Sequence, residues 1–534
     1  MHHDPDDPDA AGADEPTARA GDVGDDQVTD ASGTSADSGP ANTGEAATAD
    51  VADERPETDA APPARPSRRR LALWATAGVV AFALAGWGAV AAGSALAGAR
   101  AEAALPTPTE TPTPTPTPEP SRPAPTSAPE AAPIRTCMVG AAAADERLGA
   151  MQAQVRNAST GEVLYDRGGE TASRTASVMK VLTAAAALDV LGPDYRATTT
   201  VVRGSEPGSV VLVGGGDLTL SRTPTGSQTV YPGAAHLDDL AAQVRAAWDA
   251  DPSNPPLTKL VLDASFFGGE EWHPTWNPLE REQGFMSQIT ALQVDGDRDD
   301  AFAETSWRSP DPVGRAGDAF AAALGGIGAI ERGTAPADAA ELGSVSSPTV
   351  AELVQKSLIV SDNTVAEMLA RHVAIRTGAG NDFAAIDEGV RTGLEAYGID
   401  TEGITVVDGS GLSDDNRVPP SYLTELFRIV EDREQGLGVI RDGLPVAGVQ
   451  GSLSYADRFF GDNAVARGAV WAKTGWIETG YTLSGIIHAA DGTQLTFAIY
   501  ALGDAPGALP DSSKQAIDTL TTAFYRCGDN LSNG

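Results

Sequence analysis

Thr175-Ala176-Ser177-Val178-Met179-Lys180-Val181-Leu182-Thr183-Ala184-Ala185-Ala186-Ala187-Leu188-Asp189-Val190-Leu191-Gly192-Pro193 is the stretch on which the reading of this 534-residue chain turns. It predicts a helix over 177–191 that stops at Gly192-Pro193, because proline lacks the N–H a continuing helix needs. Spacing i,i+3 puts the Ser177 hydroxyl and the Lys180 amine on one helical face. A serine hydroxyl is a weak nucleophile until a base removes its proton, so this lysine helps only when neutral. The positive end of the helix dipole disfavours an ammonium in the first turn, and the same turn leaves the Ser177 N–H open to an oxyanion. Alone, the four residues equally read as a helix start with an exposed lysine. The chain has only five lysines (Lys180, Lys259, Lys356, Lys473, Lys514) among 37 basic residues, and arginine cannot serve as a titrating base.

Two further clusters lie downstream. Ser361-Asp362-Asn363 falls between predicted helical segments over 350–359 and 365–374, where Ser and Asn can relay a proton and hold an amide, or simply cap a helix. Lys473-Thr474-Gly475 falls at the end of a predicted strand over 466–473. Lysine with a hydroxyl can grip a carboxylate, and glycine lets another chain approach the strand.

Outward from these clusters, strands are predicted over 152–156 and 163–165 across a Ser159-Thr160-Gly161 turn. Between 196 and 344 the pattern is mixed and Gly-rich, with strands over 209–213 and 259–262 and a helix over 237–248. Strands over 481–488 and 495–502, joined by an Asp491-Gly492 hairpin turn, complete a meander before an amphipathic helix over 511–525. The terminal elements are expected to share one sheet.

The N-terminal part has a different character. The formal net charge of -37 argues against a nucleic-acid partner, since phosphate binding needs clustered Lys and Arg. Residues 1–60 hold 17 acidic residues against Arg19 and Arg55, with almost no large apolar residue. Such a segment cannot bury enough surface to offset its ordering entropy, so 1–70 is expected to be a disordered acidic tail. Arg65, Arg68, Arg69 and Arg70 precede a charge-free run over 71–99. That run is long enough to span a bilayer, which places the tail in the cytoplasm and the remainder outside the cell membrane. Ser67-Arg68-Arg69-Arg70-Leu71 also resembles a twin-arginine export signal, and Ala95-Leu96-Ala97 a cleavage site, so secretion after cleavage near 97–103 is the alternative. Eleven prolines between Pro106 and Pro133 make 100–134 an extended linker. Cys137 and Cys527, the only cysteines, stand at the two ends of what remains. In an exported protein one disulfide between them is the simplest reading; two unpaired thiols are the other. The six histidines show no ligand spacing with either cysteine, and neither a metal nor another cofactor is expected.

Ser-x-x-Lys, Ser-Asp-Asn and Lys-Thr-Gly in this order form the set shared by serine β-lactamases and penicillin-binding proteins. Gly214-Gly215-Gly216-Asp217-Leu218-Thr219-Leu220, Asp408-Gly409-Ser410-Gly411-Leu412-Ser413, Leu444-Pro445-Val446-Ala447-Gly448-Val449-Gln450-Gly451-Ser452-Leu453 and Ala472-Lys473-Thr474-Gly475 narrow this. Over roughly 140–525 the chain resembles the D-alanyl-D-alanine carboxypeptidases/endopeptidases of the class C low-molecular-mass penicillin-binding proteins. The resemblance implies an α+β fold of the serine β-lactamase/DD-peptidase type. An antiparallel sheet flanked by helices and an all-helical half would form a catalytic domain from 135–195 and 345–530, with a smaller inserted domain over 196–344. A third, nested domain is not expected, because the insert is short.

The resemblance also implies roles. Ser177 would be the acylated nucleophile and Lys180 its base, with Ser361 passing a proton to the leaving amine and Asn363 orienting the peptide. Lys473 and Thr474 would receive the terminal carboxylate, and Lys473 would press the Lys180 pKa down by like-charge repulsion. The N–H groups of Ser177 and Trp476 would form the oxyanion hole, with Gly475 between them in the substrate-binding strand. The family usually carries a small hydroxyl residue where this chain has Trp476, so the pocket there is expected to be altered. Asp263 is either a contact for a substrate side chain or a strand-end aspartate with no role. Peptidoglycan stem peptides are the implied substrate and β-lactams the covalent inhibitors. A β-lactamase, or a non-catalytic wall-binding or antibiotic-sensing module, is the alternative.

Overall fold

A computed structural model describes residues 133–533. The acidic tail, the apolar run over 71–99 and nearly all of the Pro-rich linker lie outside the described residues. Among the described residues no helix is long and apolar enough to cross a membrane.

The chain opens with β1 (Cys137–Met138), β2 (Gln152–Asn157), β3 (Val163–Arg167) and helix α1 (Met179–Val190). Next come β4 (Thr198–Arg203), β5 (Ser209–Val213), α2 (Leu237–Asp249), β6 (Lys259–Asp263), α3 (Pro312–Ala323), β7 (Ala329–Arg332) and β8 (Glu341–Ser346). A helical stretch follows: α4 (Val350–Ile359), α5 (Asn363–Thr377), α6 (Ile386–Leu394), α7 (Pro420–Glu431) and α8 (Gly438–Gly443). The end is β9 (Val470–Ile477), β10 (Gly480–His488), β11 (Gln494–Leu502), α9 (Ser513–Cys527) and β12 (Leu531–Ser532).

Strands β2 and β3 do share a sheet with β9, β10 and β11, ordered β3-β2-β11-β10-β9 and antiparallel throughout. Strand β11 shows why both of its faces must be covered. Leu495, Phe497, Ile499 and Ala501 point to the side of Ile517, Leu520 and Phe524 on α9. Ala498, Tyr500 and Leu502 point to the other side, into the core of the helical half. A strand buried on both faces reads as a nearly continuous apolar run with period-two sorting. Helix α1 is the central rod of the helical half. Ten of its twelve residues are buried, so it needs an apolar surface all round rather than a stripe. Helix α4 begins in a capping box of Thr349 and Glu352, and α5 begins on the Asp362 carboxylate, which accepts the Val365 N–H.

The second sheet is ordered β7-β6-β5-β4-β8. Strands β5, β6 and β7 run parallel, and parallel neighbours need crossover connections, here supplied by α2 and α3. Val201, Leu212, Leu260, Val244 and Phe320 fill the space between sheet and helices. All named strands between α1 and α4 belong to this one sheet. The intervening loops do not stay with it: Leu218, Tyr231, Phe267, Trp276 and Ile289 pack into the core of the helical half. The region between α1 and α4 is thus joined to the helical half by buried side chains as well as by its two chain ends.

Two local expectations are corrected. The helix at 177 begins as a 3-10 turn over Ala176–Val178, with α-helical geometry only from Met179. Lys473-Thr474-Gly475 lies inside a strand rather than at its end. The ladder with β10 continues past it through Trp476↔Tyr481 to Ile477↔Gly480, whereas Gly461–Ala466 forms a 3-10 turn before the strand begins.

Cys137 and Cys527 form a disulfide with a Cα–Cα distance of 5.5 Å, closing a loop with a sequence separation of 390. Beside it β1 pairs with β12. Removing a constraint on so long a loop raises the entropy of the unfolded chain, at a cost of about 2–4 kcal/mol to the folded state. The double substitution Cys137→Ser/Cys527→Ser is expected to lower Tm by several degrees in calorimetry while leaving covalent labelling at Ser177 at its original rate.

Candidate active site

The 3-10 turn over Ala176–Val178 sets Ser177 at the head of α1, half-buried, with Ala176 in the left-handed region at φ 46. Two glycines make room for this bend. A Cβ on Gly411 would lie 1.9 Å from the Ala176 carbonyl oxygen; one on Gly475 would lie 2.9 Å from both Ala176 Cβ and the Ser177 nitrogen. Any side chain at Gly475 would therefore fill the space between the Ser177 N–H and β9.

Lys180 Nζ donates to three acceptors: Ser177 Oγ at 2.8 Å, Asn363 Oδ1 at 2.6 Å and the Ser410 carbonyl at 2.7 Å. Those acceptors come from α1, α5 and the Asp408–Ser413 loop, so three separate parts of the chain meet on one amine. The loop is held from within. Asp408 Oδ1 accepts the Gly411 N–H, Asp408 Oδ2 accepts the Ser413 N–H and the Trp276 indole N–H, and Glu367 accepts the Ser410 N–H. Burial lowers the Lys180 pKa to about 8, against the opposing pull of the Asp408, Glu367 and Asp362 carboxylates. Desolvation is the main cause of the low Lys180 pKa, and the expected like-charge repulsion acts between the two buried amines. The repulsion is felt on Lys473, which burial first and then Lys180 hold well below the usual lysine range.

Lys473 Nζ donates to Ser361 Oγ and to the Thr474 carbonyl, both at 2.8 Å. Ser361 is itself left-handed at φ 62. The Thr474 hydroxyl meets that of Ser452 at 2.7 Å. Strand β9 is a sheet edge, and its outer side is covered only as far as Ala472, where Ala447 N donates to the Val470 carbonyl and Ala472 N to that of Pro445. Beyond that point the edge faces a cleft of about 840 Å³ lined by Ser177, Ser361, Asn363, Thr474, Gly475 and Trp476. An uncovered strand edge of this kind is suited to receive an extended peptide as an added strand.

The eight motif residues thus converge: Lys180 is hydrogen-bonded to Ser177 and Asn363, Lys473 to Ser361, and Thr474, Gly475 and Trp476 lie on the cleft wall. The Trp476 side chain is 48% exposed and stands beside Tyr481, ring centroids 6.5 Å apart. Asp263 does not join them. Its carboxylate accepts the Ser265 and Ala335 N–H groups, which fastens the loop after β6. Sequence reasoning missed the Ser410 carbonyl and the Ser452 hydroxyl as site groups. Both lie in stretches quoted above for resemblance alone, because a carbonyl acceptor leaves no trace in residue identity.

The D-Ala-D-Ala carboxypeptidase 3 (S13) family matches this chain over residues 136–303 and 298–524. Carboxypeptidase DacB of Mycolicibacterium smegmatis is 36% identical over 398 residues, covering 73% of this chain and 83% of the relative. A carboxypeptidase of Mycobacterium tuberculosis is 35% identical over 412 residues, covering 76% and 86%. In fold, the chain is similar to penicillin binding protein 4 of Haemophilus influenzae, with a TM-score of 0.58 at 20% identity, covering 70% of this chain and 95% of that one. With the serine–lysine pair, the two further motifs and the strand edge assembled as described, the chain belongs to the S13 family of D-Ala-D-Ala carboxypeptidases.

Proposed function

We propose that the chain is an exported serine-type D-Ala-D-Ala carboxypeptidase that trims peptidoglycan stem peptides through an acyl-enzyme on Ser177. The observation that carries this is the buried Lys180 amine, 2.8 Å from Ser177 Oγ, with its pKa brought down to about 8. An ammonium satisfies its three acceptors with three donors. A neutral amine donates to Asn363 and Ser410 and uses its lone pair to take the Ser177 proton.

The substrate would lie along the open edge of β9, its terminal carboxylate at Thr474 and Lys473. Ser177 Oγ then attacks the penultimate D-Ala carbonyl, and the resulting oxyanion is held by the N–H groups of Ser177 and Trp476. Ser361, hydrogen-bonded to Lys473, delivers a proton to the leaving D-alanine amine, while Asn363 orients the substrate amide. Water, activated by the same lysine, releases the acyl group. A β-lactam would acylate Ser177 in the same geometry. A D-alanine joined to a neighbouring stem offers the same reacting groups, so endopeptidase cleavage of cross-links is the companion activity. The disulfide fits an oxidising compartment. An anchor over 71–99, with the catalytic part outside the cell and the Pro-rich stretch as spacer, places the site near its polymer; release after cleavage near 97–103 would leave the chemistry unchanged.

The test is D-alanine release from a stem pentapeptide by the full chain beside its Ser177→Ala variant. The substitution is expected to remove release by on the order of 10³-fold or more and to abolish penicillin labelling; equal release by both defeats the mechanism. Lys180→Arg keeps a cation but no titrating base, and is expected to lose acylation to a comparable extent. Because Lys180 acts deprotonated, the acylation rate of the wild-type chain should rise with pH through about 8 and then level. A penicillin adduct that persists for many turnovers supports a peptidase; rapid hydrolysis supports a β-lactamase.

A further inference from the structure

Asp362, the middle residue of the second motif, is 6% exposed and, with Arg298 and Arg308, lies on the wall of the same cleft as Ser361 and Asn363. Its Oδ2 accepts from Arg298 Nη2 at 2.8 Å and from the Tyr231 hydroxyl at 3.1 Å, and Arg298 Nη1 donates to the same hydroxyl at 2.5 Å. The Arg298 guanidinium also lies over the Tyr231 ring, 4.9 Å from its centroid. Arg298 and Tyr231 are each 2% exposed and come from the region between α1 and α4, outside the segments that carry the motifs.

Both ends of this ion pair are strained. Ser361 sits at φ 62, and the three residues before Arg298 are left-handed in succession: Asp295 at φ 53, Gly296 at φ 60 and Asp297 at φ 59. Non-glycine residues in this region are disfavoured and persist only where their surroundings hold them. Asp295 is held by the Ser221 hydroxyl and Arg222, and Asp297 by Ser309 and Arg315, so the segment presenting Arg298 is anchored independently of Asp362. In the Ser361–Asn363 turn, Asp362 Oδ1 caps α5 through the Val365 N–H, and Oδ2 reaches the region between α1 and α4 at Arg298 and Tyr231. Beside these stand the Ser357 hydroxyl on the Asp362 carbonyl, Lys473 on Ser361, Lys180 on Asn363 Oδ1 and the Asn363 amide on the Phe285 carbonyl.

We propose that Arg298 is a positioning residue for the reaction: its buried ion pair with Asp362 holds the Ser361–Asn363 turn in the conformation that aims Ser361 at Lys473 and Asn363 at Lys180. This rests on the reading of Ser361 and Asn363 as catalytic groups. It gives the region between α1 and α4 a part in the chemistry itself, through a cation paired with the motif. Burial opposes the Asp362 charge, but Arg298 and Arg308, with the Val365 N–H, outweigh it and keep the carboxyl well below the ordinary carboxylate range. The groups facing it are Arg298, Arg308 and Tyr231, with Lys356 on the far side of the Tyr231 ring at 5.9 Å and Lys180 across α5.

The experiment compares kcat, KM and their pH profiles for D-alanine release by the full wild-type chain and by Arg298→Gln, at a temperature below both thermal transitions. Expected for the variant are a tenfold to hundredfold lower kcat with KM changed less than threefold, and a steeper acid limb. Without that cation the burial that opposes the Asp362 charge is less fully offset, so the carboxyl takes up a proton more readily and the variant's kcat falls more steeply at low pH than the single Lys180 limb of the wild type. A role confined to stability would lower Tm and leave both kcat and the profile of the folded fraction unchanged, which would overturn the proposal. Should Arg298→Gln fail to fold, Tyr231→Phe removes one hydroxyl from the same cluster and is expected to lower kcat twofold to fivefold at constant KM; an unchanged kcat overturns the proposal. Wild-type release of D-alanine separates the two readings. Its absence defeats the proposed function, whereas its presence with an unaltered Arg298→Gln defeats this inference alone.

Discussion

Nearly everything in the site follows from one buried amine. Lys180 Nζ has no water to hydrate it as an ammonium, and burying an uncompensated charge is costly, so its proton is held loosely and its three hydrogen bonds must come from the protein. Those bonds reach Ser177, Asn363 and the Ser410 carbonyl, which tie the head of α1 to α5 and to the loop over 408–413. The burial that favours the neutral form of the lysine also brings together three distant stretches of chain.

A second amine repeats the pattern at the sheet edge. Lys473 is fully buried, pushed down by desolvation and by Lys180, and bonded to Ser361 and its own strand. Two buried amines that repel one another cannot both hold protons comfortably. The frame that tolerates them is rigid. Helix α1 is apolar on all sides, β11 is buried on both faces, and left-handed residues at Ala176, Ser361 and Asp295–Asp297 lie where the packing over-determines them. The region between α1 and α4 contributes to this frame through Arg298 and Tyr231 as well as through its own sheet.

Much of the fold and of the site was legible without coordinates. The Ser-x-x-Lys, Ser-Asp-Asn and Lys-Thr-Gly residues stand in contact, and the shared sheet of terminal strands follows from their period-two apolar runs. The Cys137–Cys527 bridge was the simpler of two readings. The 3-10 start before α1 was not legible, because a left-handed alanine is permitted only by glycines more than two hundred residues away. Nor was the true extent of β9, since a strand ends where its partner's register ends and not where its own pattern fades. Strands β4, β7 and β8 were missed for a related reason: β7 is exposed along its whole length and carries no alternation.

By itself the sequence determined which chemical groups were available: a serine, two scarce lysines at motif positions in an arginine-dominated chain, and the hydroxyl, amide and glycine residues that accompany them. It also determined the local periodicities, since helical and strand patterns depend on neighbours a few residues apart. Only the tertiary structure decided the state of those groups. A lysine pKa depends on how much water the rest of the chain removes. An aspartate becomes a clamp only when a distant arginine is folded against it. Such properties come from long-range burial and contact, which residue order encodes but does not display.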